Sequence, residues 1–129
     1  MSRPCPCGAK ATFDKHCQPV IEGKVLPDTA ERLMRARFTA YSLCDVDFLI
    51  KTTAAPQREN LDAEELEEYC DSIRCISLKI LATEAGGPKD ETGMVRFHAS
   101  MQVDGKRRLH AEVSHFHRED GQWVYESED

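Results

Sequence analysis

The sequence predicts an α+β domain whose N-terminal helices pack on one face of a curved antiparallel sheet, preceded by a small zinc knuckle. Three observations lead there. Apolar residues recur at helical spacing between about 29 and 44, and from Ile73 onward the period changes to alternation. Cys5, Cys7, His16 and Cys17 form a C-x-C-x8-H-C array within the first seventeen residues.

The array comes first along the chain. Zn2+ takes four ligands at tetrahedral corners, and three thiolates with one imidazole close that set without leaving a position for a substrate water. One structural Zn2+ is therefore expected on Cys5, Cys7, His16 and Cys17, with Gly8 turning the chain after the second thiol and Phe13 covering the site. The bound site would carry about −1, which Arg3, Lys10, Lys15 and Lys24 offset. Cys44, Cys70 and Cys75 lack paired ligand spacing and read as ordinary buried or half-buried thiols.

Pro19 to Pro27 reads as a linker, dividing the chain into a zinc-binding segment at 1–26 and an α+β domain at 27–129. Asp28 with Glu31 three residues on makes a capping-box pattern, and Ala30, Leu33, Met34, Phe38 and Tyr41 then form a single apolar stripe. Asp45 should cap a second, short helix holding Val46, Phe48, Leu49 and Ile50. A loop is expected at 52–60, then an acidic surface helix over 61–71.

The strands follow. Ile76, Leu78, Ile80 and Ala82 are expected on one face of the first, which ends at Ala85-Gly86-Gly87-Pro88. Val95, Phe97, Ala99, Met101 and Val103 line one face of the second. Asp104-Gly105 is a hairpin signal, and Glu119-Asp120-Gly121 is another tight connection before a fourth strand with Trp123 and Tyr125.

Length and charge bound the function. With 129 residues there is room for one domain and a small appendage, and no apolar run approaches the roughly 18 residues that cross a bilayer. Residues 1–10 lack the apolar core of a secretory signal, so a cytoplasmic protein with reduced thiols is expected. Residues 1–27 carry four basic and two acidic side chains, against thirteen and twenty-one in the rest, for a net charge of −6. So acidic a body argues against nucleic acid as the partner, even with Phe13, Lys10 and Lys15 on the knuckle.

Three motifs carry a family resemblance. Cys5-Pro6-Cys7-Gly8 with His16-Cys17 resembles the SEC-C zinc motif, also found at the tail of the SecA translocation motor. Ala30 through Tyr41, followed by Asp45-Val46-Asp47-Phe48-Leu49, resembles the TAE-LMRSRYSAY-GDxDYL segment of the bacterial YchJ family. Glu112 through Phe116 and Asp120 through Tyr125 supply the third match. The resemblance implies a nuclear-transport-factor-like, cystatin-like cone, in which a bent sheet wraps a long helix. Two departures stand out. Members often read Lys-Thr-Trp-His-Pro where this chain has Lys51-Thr52-Thr53-Ala54-Ala55-Pro56, and some carry a second SEC-C motif, whereas a single zinc site is expected here.

Two functions of different class follow. The closed ligand set suggests a non-enzymatic module whose knuckle meets a protein partner, as the similar knuckle of SecA meets the chaperone SecB. The alternative is a small-molecule-binding protein or enzyme using the mouth of the cone, with Tyr41, His98, His110, Glu112 and Ser114 as candidate pocket groups; no spacing in the sequence identifies a catalytic residue. Glu112 shares a strand face with Ser114 and Phe116, and a buried carboxylate needs a partner. An ion pair between Glu112 and Arg35 or Arg37 is expected.

Overall fold

The computed structural model describes residues 3–128. A short 3-10 turn at Phe13–Lys15 leads into α1 (Cys17–Ile21), α2 (Ala30–Leu43), α3 (Val46–Lys51), α4 (Ala55–Arg58) and α5 (Ala63–Ser72). Four strands complete the chain: β1 (Ile73–Ala85), β2 (Thr92–Val103), β3 (Lys106–Glu119) and β4 (Gln122–Glu128). They form one antiparallel sheet in the order β1-β2-β3-β4.

Local chemistry places the helices, with three departures from the sequence reading. The cap of α2 is Thr29, not Asp28: Thr29 is extended and its Oγ1 accepts from Arg32 N at 3.1 Å. The Asp28 carbonyl is spent on the Trp123 indole at 3.2 Å, and Glu31 pairs with Arg35 instead of closing a capping box. Part of the expected linker is helical, because Pro19 falls in the first turn of α1, where a missing N–H costs nothing. Pro56 starts α4 in the same way, inside the stretch expected to be loop. Asp45 does cap α3, accepting from Phe48 N at 3.1 Å.

Both hairpin signals fold as two-residue turns with successive left-handed residues, Asp104 (φ 53) with Gly105 (φ 76) and Asp120 (φ 52) with Gly121 (φ 79). The longer β1–β2 connection needs glycine for space. A Cβ on Gly93 would lie 2.5 Å from Gly86 Cα, and Gly86 in turn accepts from Ala30 N at 2.9 Å, seating the start of α2 on this end of the sheet.

Bulges set which strand residues face the helices. Val95, Phe97 and Ala99 are buried as expected, and the register puts Ser114, Glu112 and His110 beside them on the same face. In β1, Leu78 and Ile80 face the core, but irregularities at Cys75/Ser77 and Ile80/Ala82 break the alternation. Ile76 is consequently 40% exposed and Ala82 also lies outside, contrary to the expected single face.

Helix α2 packs on β1, β2 and β4 through one face and carries the N-terminal segment on another. That segment is no free appendage. Cys5, Cys7, Phe13, Cys17 and Val20 belong to the same apolar cluster as Leu33, Ala36, Phe97 and Trp123. No helix among the described residues is long and apolar enough to cross a membrane.

Candidate functional site

The first site is the N-terminal cluster. The chain turns at Gly8 (φ 83) after Cys5-Pro6-Cys7, and Gly8 N donates to Cys5 O at 3.1 Å, which folds both thiols toward the start of α1. There His16 Nδ1 lies 3.4 Å from both Cys7 Sγ and Cys17 Sγ, and the four ligand atoms are all within 4.8 Å of one another. A tetrahedral ion with sulfur at about 2.3 Å and nitrogen at about 2.05 Å needs adjacent S and N about 3.6 Å apart. The donors fit a metal ion. All three cysteines are buried, and the contact with Cys17 holds the Cys7 thiol down at about 5 while the same contact pushes Cys17 up, so one thiolate is already favoured.

Two arginines of α2 hold this cluster in place. Arg35 donates to Cys7 O at 3.0 Å and Arg32 to His16 O at 3.1 Å, while Cys5 Sγ rests 3.9 Å from the buried Thr39 hydroxyl. Phe13 is buried against the core, with the Arg3 guanidinium 4.6 Å from its ring centre.

The second site is a cavity of about 160 Å3 between α2 and the inner face of the sheet. Met34, Phe38, Ile73, Cys75, Phe97, Ala99 and Met101 make apolar walls, and Arg37, Tyr41, Ser114 and Tyr125 bring polar atoms into them. Tyr69, His110 and Glu128 are its more exposed members. Arg37 is only 6% exposed, and among the described residues no carboxylate lies at ion-pair distance from it, though Glu128 acts on it from farther off. Its Nη1 donates to Leu49 O at 2.9 Å and to the hydroxyls of Thr52 at 2.8 Å and Thr53 at 3.3 Å, and the guanidinium stacks 4.6 Å from the Tyr125 ring centre. Burial lowers its pKa, opposed by the neighbouring Tyr41 and Tyr125. Burial also raises Tyr41 and pushes Tyr125 up to about 12, so both phenols keep their protons as donors.

The structure sorts the residues expected at this pocket. Tyr41, His110 and Ser114 line it. His98 does not: strand alternation turns it to the outer face, opposite to Phe97. Glu112 faces inward as its register requires, yet it does not line the cavity; it lies beside it at the rim, meeting Nε2 of the lining residue His110 at 3.7 Å. The expected ion pair with Arg35 or Arg37 does not form. Arg35 is committed to Glu31 at 3.0 Å and to Cys7 O, and Arg37 is committed to the end of α3. Glu128 escaped the sequence reading, since Tyr125 faces in and strict alternation would turn Glu128 out. A bulge at Glu126 reverses this and sets Glu128 beside Ser114.

Comparison with known proteins agrees with this architecture. The family model for the YchJ middle NTF2-like domain matches residues 29–128. The chain belongs to the YchJ family. It is 37% identical over 125 residues to the UPF0225 protein GSU1048 of Geobacter sulfurreducens, covering 97% of this chain and 78% of that one. To the UPF0225 protein CE1570 of Corynebacterium efficiens it is 40% identical over 126 residues, covering 94% and 88%. Among solved structures, it resembles RPA3114, a SEC-C motif containing protein from Rhodopseudomonas palustris, with a TM-score of 0.89 at 28% identity over 97% of this chain and 96% of that one. A SEC-C motif containing protein from Psychrobacter arcticus gives 0.81 at 25% identity, over 95% and 80%. An LEH-like epoxide hydrolase from M. tuberculosis shares the fold alone, with a TM-score of 0.52 at 17% identity over 80% and 86%.

Proposed function

We propose that this protein is a cytoplasmic small-molecule-binding protein, built on a YchJ-family cone and braced by one structural Zn2+ at Cys5, Cys7, His16 and Cys17. The Cys3His donor set favours zinc over harder ions, and its closure supports a structural and not a catalytic role. All six cysteines are free thiols, which suits a reducing compartment.

The observation that carries the binding role is Arg37, a buried cation with no carboxylate at ion-pair distance among the described residues, in the wall of a largely apolar cavity. Such a site takes a compact ligand with an apolar body and an anionic end. The volume suits a molecule of about the size of a substituted benzene ring. Benzoate is the test compound. It should shift the amide resonances of Phe97, Ala99, Met101 and Ser114 in wild type and leave them unmoved in Arg37→Met. Shifts confined to other residues, or shifts that survive in Arg37→Met, would refute the assignment.

A protein partner at the knuckle is the second reading, and one observation favours it. Val25 and Leu26, which follow the knuckle in the chain, are 45% and 61% exposed. Val25→Ser with Leu26→Ser should abolish any zinc-dependent complex, and a complex that persists in that variant would rule out this face.

A further inference from the structure

We propose that His110, Glu112 and Glu128 form a second metal site, for a first-row divalent cation, at the rim of the cavity. It is separate from the knuckle. It does not depend on which organic molecule the cavity takes.

Strand geometry builds the site. His110 and Glu112 stand two residues apart on β3 and so share its inner face, and the β4 bulge swings Glu128 onto that face. His110 Nε2 then lies 3.3 Å from Glu128 Oε2 and 3.7 Å from Glu112 Oε1, with the three ligand atoms all within 4.8 Å. An ion bound at about 2.1 Å by nitrogen and oxygen needs neighbouring donors about 3.0 to 3.4 Å apart, so small side-chain rotations complete the set.

Charge favours an ion there. Among the described residues neither carboxylate has a lysine or arginine at ion-pair distance, and the Arg37 guanidinium acts on Glu128 only from farther across the cavity. One imidazole with two carboxylates is a hard, oxygen-rich set that leaves further positions open to water or to a ligand. The thiolate-rich knuckle is its opposite. The two sites should divide metals between them by softness.

Ser114 adds a polar group beside the cluster. It is 2% exposed, lies directly across from Glu128 and lines the cavity, yet its hydroxyl has no hydrogen-bond partner among the described residues. That hydroxyl opens on the cavity, where it can bond a water or ligand group carried by the ion.

The experiment is a Mn2+ titration of the full chain with its knuckle metal retained, reading free Mn2+ by electron paramagnetic resonance. Mn2+ competes poorly for thiolates and therefore reports the oxygen-rich site. One Mn2+ per chain is expected, with affinity reduced at least about tenfold in Glu112→Gln/Glu128→Gln. In wild type, needing no variant, bound Mn2+ should broaden the amide signals of Phe97, Ala99, Glu112 and Ser114. The absence of binding at millimolar Mn2+, equal affinity in the folded double variant, or broadening centred on the acidic groove at Asp45, Asp47 and Glu67 would each overturn the proposal.

Discussion

Arg37 poses the sharpest energetic question at the residue scale. A guanidinium taken out of water loses several kcal/mol of hydration, and here the return is three hydrogen bonds to neutral acceptors and one aromatic face. Those acceptors do not need it. Thr52 Oγ1 also donates to Phe48 O at 2.7 Å and Thr53 Oγ1 to Leu49 O at 2.7 Å, so removing the guanidinium strands neither hydroxyl. Arg37→Met, which keeps most of the volume, should therefore change stability by no more than about 1 kcal/mol, because relieved desolvation offsets the lost bonds. Arg37→Ala leaves a void and should cost about 2 to 4 kcal/mol. Denaturant melts of the two variants check this. A large loss in Arg37→Met would make Arg37 a pin for the end of α3 and remove the main support for a ligand role.

At the scale of elements, α2 joins the two sites, since Arg32 and Arg35 reach the knuckle while Met34, Arg37, Phe38 and Tyr41 line the cavity. Losing a metal bound at the Cys3His cluster should therefore be felt by the domain as a whole. A metal present at about a thousand times its dissociation constant contributes about 4 kcal/mol, and stripping it with a chelator should lower the unfolding free energy by that amount, lower the melting transition and shorten amide protection in the first two turns of α2. A transition that stays put would mean the knuckle folds as a separate unit. This joint is also where the sequence was least readable. The Cys3His cluster, the stripe of α2 and both two-residue hairpins could be read off residue types, because each depends on local spacing. The bulges could not. Whether Ile76 faces out or Glu128 faces in depends on one extra residue in a strand, and no composition signal marks Ile76 or Glu126 as that residue. The Arg37 partners were missed for a related reason: they come from the end of α3, while the sequence reading looked to the sheet for a carboxylate.

On the scale of the whole molecule, the cavity is polarised, with the Arg37 cation on the α2 side and Glu112 and Glu128 at the sheet rim. An anionic ligand is drawn to the first and repelled by the second. A divalent cation held by His110, Glu112 and Glu128 neutralises the rim and removes its repulsion, so it should strengthen binding of an anion at Arg37, and by linkage the anion should strengthen binding of the cation by the same factor. Coupling between sites of this kind usually amounts to about 5-fold or more. Benzoate affinity measured with and without Mn2+ tests the first half, and Mn2+ affinity with and without benzoate tests the second. Sodium chloride at matched ionic strength is the control, because general screening would weaken attraction to Arg37 and repulsion by the rim together. Equal factors in both directions, lost in Glu112→Gln/Glu128→Gln and absent for a neutral ligand such as benzyl alcohol, would establish that the rim and the floor of the cavity work as one site. Benzoate binding that ignores Mn2+ would leave two independent sites sharing a wall.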